Sequence, residues 1–258
     1  MHKDKDIGEQ ERERVRQLIR SRFATELAAC RDLHAVVAEV VARRAPQLSA
    51  PLGTAAGPAV MFLFGKIWRS FNATRILVLE GYGPDAMVVA RSLINAAIDL
   101  GYIGEANSEK RAWQWSAVGV KAQREYLAHH GKAPEGNENL NWAKIEARAK
   151  PWKDLKIQGR ADRAGLRDLY EMAYRPGSSP EHSDSWSSID YIEEIPGGGL
   201  TFQIGPSEEA VDRALGVACW GLSVAFVRWC RFFEFDEVGA TRRVTEIADQ
   251  FSQSAEKK

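Results

Sequence analysis

Apolar positions recur at helical spacing along most of the chain. Over residues 9–44, Val15, Leu18, Ile19, Phe23, Leu27, Val36, Val37, Val40 and Val41 line one face, charged residues fill the other, and Pro46 ends the pattern. Residues 48–57 are mostly small and read as a linker. A second helix is expected over residues 58–79, closing at the Gly81-Tyr82-Gly83-Pro84 turn. Pro84 suits the first turn of a third helix over residues 85–106. A fourth is expected over residues 108–131, with Glu109 in its first turn and His129 and His130 in its last, where charge complements the helix dipole. A short helix over residues 138–150 should stop at Pro151, and another should span residues 162–174. Short apolar runs flank Ile195-Pro196-Gly197-Gly198-Gly199-Leu200, which reads as a small hairpin or an irregular loop. From Pro206-Ser207-Glu208-Glu209 a long apolar helix should run to residue 235, and a last amphipathic helix should cover residues 240–251. About eight helices with at most one hairpin predict an all-α fold, a single multi-helix bundle. Residues 1–57 form an N-terminal helix and linker in this division, packed as one unit with a helical core domain over residues 58–258.

The third helix differs from the rest. Residues 87–103 are apolar nearly all round, which marks a central buried helix. The polar exceptions, Arg91, Ser92, Asn95 and Asp99, fall on one stripe about a quarter-turn wide at helical spacing. A buried arginine requires partners, because an unpaired buried charge is very costly. Arg91, Asn95 and Asp99 therefore either pair along the helix at i,i+4 spacing or face a polar cleft built with another segment.

Composition narrows the classes. The 258 residues are enough to bury about three quarters of the unfolded surface without covalent staples. With 35 basic and 35 acidic residues the chain is neutral, so an argument for a polyanionic partner has to be local. The three cysteines, Cys30, Cys219 and Cys230, are widely spaced and read as free thiols in a reducing compartment, not as a disulfide framework or zinc knuckle. The first residues carry charges without an apolar stretch, unlike a signal peptide. The apolar run over residues 214–227 is short of the roughly 20 residues of a membrane span. A cytoplasmic protein without membrane association is the expectation.

Candidate chemistry concentrates in Tyr170-x3-Tyr174-Arg175-x6-His182, wrapped around a Gly177-Ser178-Ser179-Pro180 bend. An arginine and a histidine at this separation place a fixed positive charge beside a base that titrates near neutrality. They could cleave RNA without a metal, His182 as general acid or base and Arg175 stabilising the phosphorane, with Ser178 and Ser179 orienting substrate or capping the next helix. Equally, Arg175 could pair with an acidic neighbour and His182 pack under a loop. Between residues 144 and 167, eight Lys or Arg stand against Glu146, Asp154 and Asp162, with Trp142 and Trp152 nearby. Such a strip can track a nucleic-acid backbone or be a solvated helix face. Residues 176–212 contain no Lys or Arg and eight carboxylates, so a phosphate substrate would approach from the Arg175 side or across a partner subunit. Glu181, His182 and Asp184 cannot close a metal shell alone, so no metal and no cofactor is expected. Gly81-x-Gly83 follows a helix and lacks a third glycine, Gly197-Gly198-Gly199 lacks the lysine of a phosphate loop, and no Gly-x-Ser-x-Gly elbow occurs.

With these residues in view, the chain resembles a bacterial all-helical domain family of unknown function. The likeness rests on Ala90-Arg91-Ser92-Leu93-Ile94-Asn95-Ala96-Ala97, followed by Leu100-Gly101-Tyr102-Ile103, and on Tyr170-x3-Tyr174-Arg175-x2-Ser178-x3-His182, and would cover residues 60–235. Where that family is usually acidic this chain has Asn95, which leaves Asp99 to balance Arg91. The Arg-x6-His element also looks like the active-site motif of HEPN domains, helical ribonucleases of toxin–antitoxin and phage-defence systems that often assemble the site across a dimer. Here Pro176 follows Arg175 in place of a polar residue. The resemblance implies Arg175 and His182 as catalytic residues and RNA, a second copy of the chain and an antitoxin or other partner protein as partners; the polar stripe and the bend add Arg91, Asn95, Asp99, Tyr174, Ser178 and Ser179 as candidate binding residues. A non-catalytic helical binding or regulatory protein, with the Arg/His network structural, is the competing class.

Overall fold

The computed structural model describes residues 3–48, 54–131, 141–175, 192–195, 198–202 and 205–255. The fold is all-α. Helices α1 (Lys3–Arg22) and α2 (Ala24–Arg44) lead through a 3₁₀ turn (Ala45–Gln47) to α3 (Ala56–Leu79), α4 (Gly83–Glu105) and α5 (Ser108–His129). Helices α6 (Trp142–Asp154), α7 (Ile157–Arg163) and α8 (Arg167–Leu169) follow, and α8 continues as a π-helical turn, Tyr170–Tyr174. Strands β1 (Ile192–Ile195) and β2 (Gly199–Phe202) form an antiparallel hairpin, with Ile192 opposite Phe202 and Ile195 opposite Gly199. Helices α9 (Val211–Phe232) and α10 (Val238–Ala255) complete the order.

As its all-round apolar pattern requires, α4 is central, between α3 and α9 with α7 and the π turn across its polar stripe. Leu93, Ile94, Ala97, Ile98, Leu100 and Ile103 are wholly buried there with Phe71 of α3 and Phe226 of α9. The α4–α9 approach is close enough that a Cβ at Gly221 would overlap Leu93 and Ile94. Val15, Ile19, Leu33 and Val37 of α1 and α2 belong to the same buried cluster. Glu237 clamps α2 to the start of α10, accepting hydrogen bonds from Arg43 at 2.6 Å and Arg44 at 2.8 Å. Both α4 and α9 are long and apolar enough to cross a membrane by length and composition, and most of each is buried inside the bundle.

Three expected boundaries differ. The single N-terminal pattern is two helices, because Phe23 relaxes to ψ 30°, although the Phe23 and Leu27 amides still bond back to Ile19 and Phe23. Pro151 does not stop α6: the last turn continues to Asp154, held by Trp152, which packs 5.5 Å from the Tyr102 ring. The helix expected over residues 162–174 is broken at Gly165, whose φ of +65° ends α7 in a left-handed cap, with the Leu166 amide bonding back to the Ala161 carbonyl at 2.8 Å.

Candidate functional site

The polar stripe of α4 meets the segment from Leu155 to Arg175. Asp99, buried in mid-helix, accepts a hydrogen bond of 2.7 Å from Arg160 Nε, and both side chains are about nine-tenths buried. Arg160 also donates to the Leu155 carbonyl at 2.6 Å and lies 4.9 Å from the Trp152 ring. Burial pushes the Asp99 carboxyl above its ordinary range, against the opposing pull of Arg160 and, more weakly, Lys66.

Two turns earlier, Arg91 donates from Nη2 to the Tyr174 hydroxyl at 2.9 Å while its guanidinium sits 4.4 Å from that ring. Tyr174 stacks on Tyr170 with centroids 5.4 Å apart. Residues four apart share one face of a helical turn, which brings the two rings together on the side of the π turn that meets Arg91. Half-buried Asn95 lies one turn from Arg91 and one from Asp99. The stripe thus faces α7 and the π turn, and in the described contacts Arg91 and Asp99 each take a partner from that segment.

Arg175 closes the π turn on the solvent side. It donates to Glu171 at 2.8 Å, its side chain is 65% exposed, and this bond holds the guanidinium above its ordinary range and the Glu171 carboxyl below its own. Glu171 also accepts from Arg167 at 3.3 Å. Tyr174 therefore joins the two sequence motifs, its hydroxyl on Arg91 and its backbone neighbour Arg175 facing water. Ser178, Ser179 and His182 lie outside the described residues. Among the described residues no group of three His, Cys, Asp or Glu is placed to hold a metal ion.

Part of the basic strip has a structural task. Arg124 lies 4.1 Å from the Trp142 ring and Arg148 5.3 Å from the Trp113 ring, two cation–π contacts that fasten α6 antiparallel to α5. Sequence reasoning missed Arg160 as the partner of Asp99. It sat in that strip as one more solvated cation, and a pair 61 residues apart leaves no spacing signature. The signal present was the buried acid itself, which called for a cation from elsewhere in the chain.

Residues 58–199, more than half of the chain, match a family whose description is Family of unknown function (DUF5677). The chain belongs to this family. The DUF5677 match spans α3 to α8 and the start of β2, including α4, the π turn and the residues up to His182. No curated protein and no solved structure matches the chain.

Proposed function

We propose that this DUF5677 member is a HEPN-like, metal-independent endoribonuclease of a bacterial toxin or phage-defence system, acting in the cytoplasm. Arg175 binds the scissile phosphate and His182 moves the proton. His182 accepts the proton of the 2′-hydroxyl as that oxygen attacks phosphorus, Arg175 neutralises charge on the equatorial oxygens, and the P–O5′ bond breaks, the departing 5′-oxygen taking its proton from water. One observation carries the reading: Arg175 is presented to solvent from a turn that Tyr174 anchors to the central helix through Arg91. A phosphate-binding guanidinium needs such a rigid base, because misplacement by about 1 Å can lower a rate by about 100-fold. Glu171 holds Arg175 in the absence of substrate and would be displaced by a phosphate. Asn95, Ser178 and Ser179 complete the proposed binding surround, and a second copy of the chain or an antitoxin would approach the solvent side of the π turn, where Met172 and Arg175 are exposed.

A second reading, a non-catalytic binding or regulatory protein, is favoured by the same pairings. Arg175 and Asp99 already have carboxylate and guanidinium partners within the chain. Expressing the wild type, Arg175→Ala and His182→Ala in cells separates the readings. The nuclease arrests growth and degrades RNA only as the wild type. A folded wild type that leaves growth and RNA intact refutes it in favour of the binding protein.

A further inference from the structure

Two of the three cysteines meet in the core. Cys30 of α2 and Cys219 of α9 are both fully buried, and their Sγ atoms are 3.0 Å apart, one thiol donating to the other. A disulfide would need the sulfurs to close by about 1 Å, within the reach of side-chain rotation and a small helix shift. The two residues are 189 positions apart in sequence. Neither falls in the family match of residues 58–199. Cys30 belongs to the N-terminal helices that precede it, and Cys219 to the long helix that follows. The third thiol, Cys230, is also on α9, but 11 positions further on and near Glu237 and Arg44.

We propose that Cys30 and Cys219 are a pair that stays reduced in a reducing cytoplasm and forms a disulfide when the surrounding thiol pool is oxidised, a cross-link that ties the N-terminal helices to α9. The oxidant required is a low-molecular-weight disulfide such as oxidised glutathione. One cysteine thiolate attacks a glutathione sulfur and expels a glutathione thiolate, forming a mixed disulfide. The second cysteine thiolate attacks the protein sulfur of that mixed disulfide and expels the second glutathione thiolate. Two S–H bonds and one S–S bond are lost, one protein S–S bond and two glutathione S–H bonds form, and two electrons pass from the cysteines to glutathione. Burial holds the Cys219 thiol well above its ordinary range, with the Arg75 guanidinium opposing that effect. Exchange in the closed native state is therefore slow, and the bond forms while α2 is still docking. Once made, it is shielded by the same burial, and it closes a long loop, the case in which a cross-link restricts the unfolded chain most.

Equilibrium refolding tests this without depending on access to the core. The reduced full-length chain is unfolded in guanidinium chloride and refolded into a buffer of reduced and oxidised glutathione. Acid-quenched samples are alkylated with N-ethylmaleimide in denaturant and mapped by mass spectrometry. The expected main species has Cys30 and Cys219 peptides joined, Cys230 alkylated, and a urea midpoint above that of the reduced chain. Cys230→Ser should keep the cross-link and Cys219→Ser should lose it. Alkylation of all three cysteines, a cross-link through Cys230, or a glutathione adduct that never resolves would overturn the proposal. If Cys219→Ser fails to fold, the wild type and Cys230→Ser decide it alone.

Discussion

Arg160→Ala should be among the most destabilising single changes outside the apolar core, with a cost that depends on pH. Removing the guanidinium takes away the 2.7 Å bond to Asp99 and the 2.6 Å bond to the Leu155 carbonyl. It leaves the Asp99 carboxylate buried without its counter-charge. Breaking a buried pair from one side costs about 3–5 kcal/mol. Protonation of the orphaned acid sets a ceiling. Neutralising a carboxyl of ordinary pKa at pH 7 costs about 4 kcal/mol, and at pH 5 only about 1.5 kcal/mol. The lost Leu155 bond adds about 1 kcal/mol at either pH, so the cost of Arg160→Ala should reach at most about 5 kcal/mol at pH 7 and about 2.5 kcal/mol at pH 5.

The sign follows from linkage. A carboxyl raised in the folded state binds more protons there than when unfolded, so its contribution is full below its ordinary range and is lost as pH rises through the folded value. Wild-type Asp99 is raised in the same direction, with Arg160 restraining the shift. Urea unfolding followed by circular dichroism at the two pH values measures both costs. Asp99→Asn in the Arg160→Ala background should abolish the pH dependence, and Asp99→Leu with Arg160→Met should recover most of the wild-type stability. A cost under about 1 kcal/mol at pH 7, or one equal at both pH values, would refute the argument that an uncompensated buried carboxylate carries the effect.

Other substitutions probe the neighbouring contacts. Tyr174→Phe removes the hydroxyl that bonds Arg91 at 2.9 Å but keeps the ring beneath the guanidinium, and should cost about 1 kcal/mol in urea unfolding. Tyr174→Leu also removes the cation–π contact and should cost about 1 kcal/mol more. Gly221→Ala inserts a methyl group where α9 touches Leu93 and Ile94 and should cost about 1–3 kcal/mol, read as a lowered thermal midpoint. Glu171→Gln releases the exposed Arg175 guanidinium, and should leave the melting curve unchanged while lowering the apparent Kd for single-stranded RNA in a filter-binding assay.

Much of the fold was legible because periodicity reports burial directly. The residues 87–103 run could only be satisfied at the centre of a bundle, and α4 is there. The Gly81–Pro84 turn was equally readable, since only glycine suits the φ of +82° at Gly81. The misplaced boundaries share a cause: tertiary contacts overrode local preference. Trp152 holds a helical turn beyond Pro151, and the left-handed cap at Gly165 separates α7 from the π turn, so that Arg160 of the first and Tyr174 of the second each bond the polar stripe of α4. The candidate site was half legible. The stripe of Arg91, Asn95 and Asp99 announced that something polar must face it, and spacing singled out Tyr174 and Arg175. The identity of the facing residues was not legible, because pairs such as Asp99–Arg160 and Arg91–Tyr174 are made across 61 and 83 positions. Whether Arg175 would be free or paired turned on Glu171, an i,i+4 neighbour whose spacing was available in the sequence.

Cleavage of RNA by the purified chain in the presence of a chelator tests the central claim most directly. The wild type should fragment single-stranded RNA and leave 2′,3′-cyclic phosphate ends, as attack by the 2′-hydroxyl requires. Arg175→Ala and His182→Ala should leave the RNA whole while unfolding at the wild-type urea midpoint. Intact RNA after incubation with the folded wild type, or undiminished cleavage by folded His182→Ala, would contradict the account.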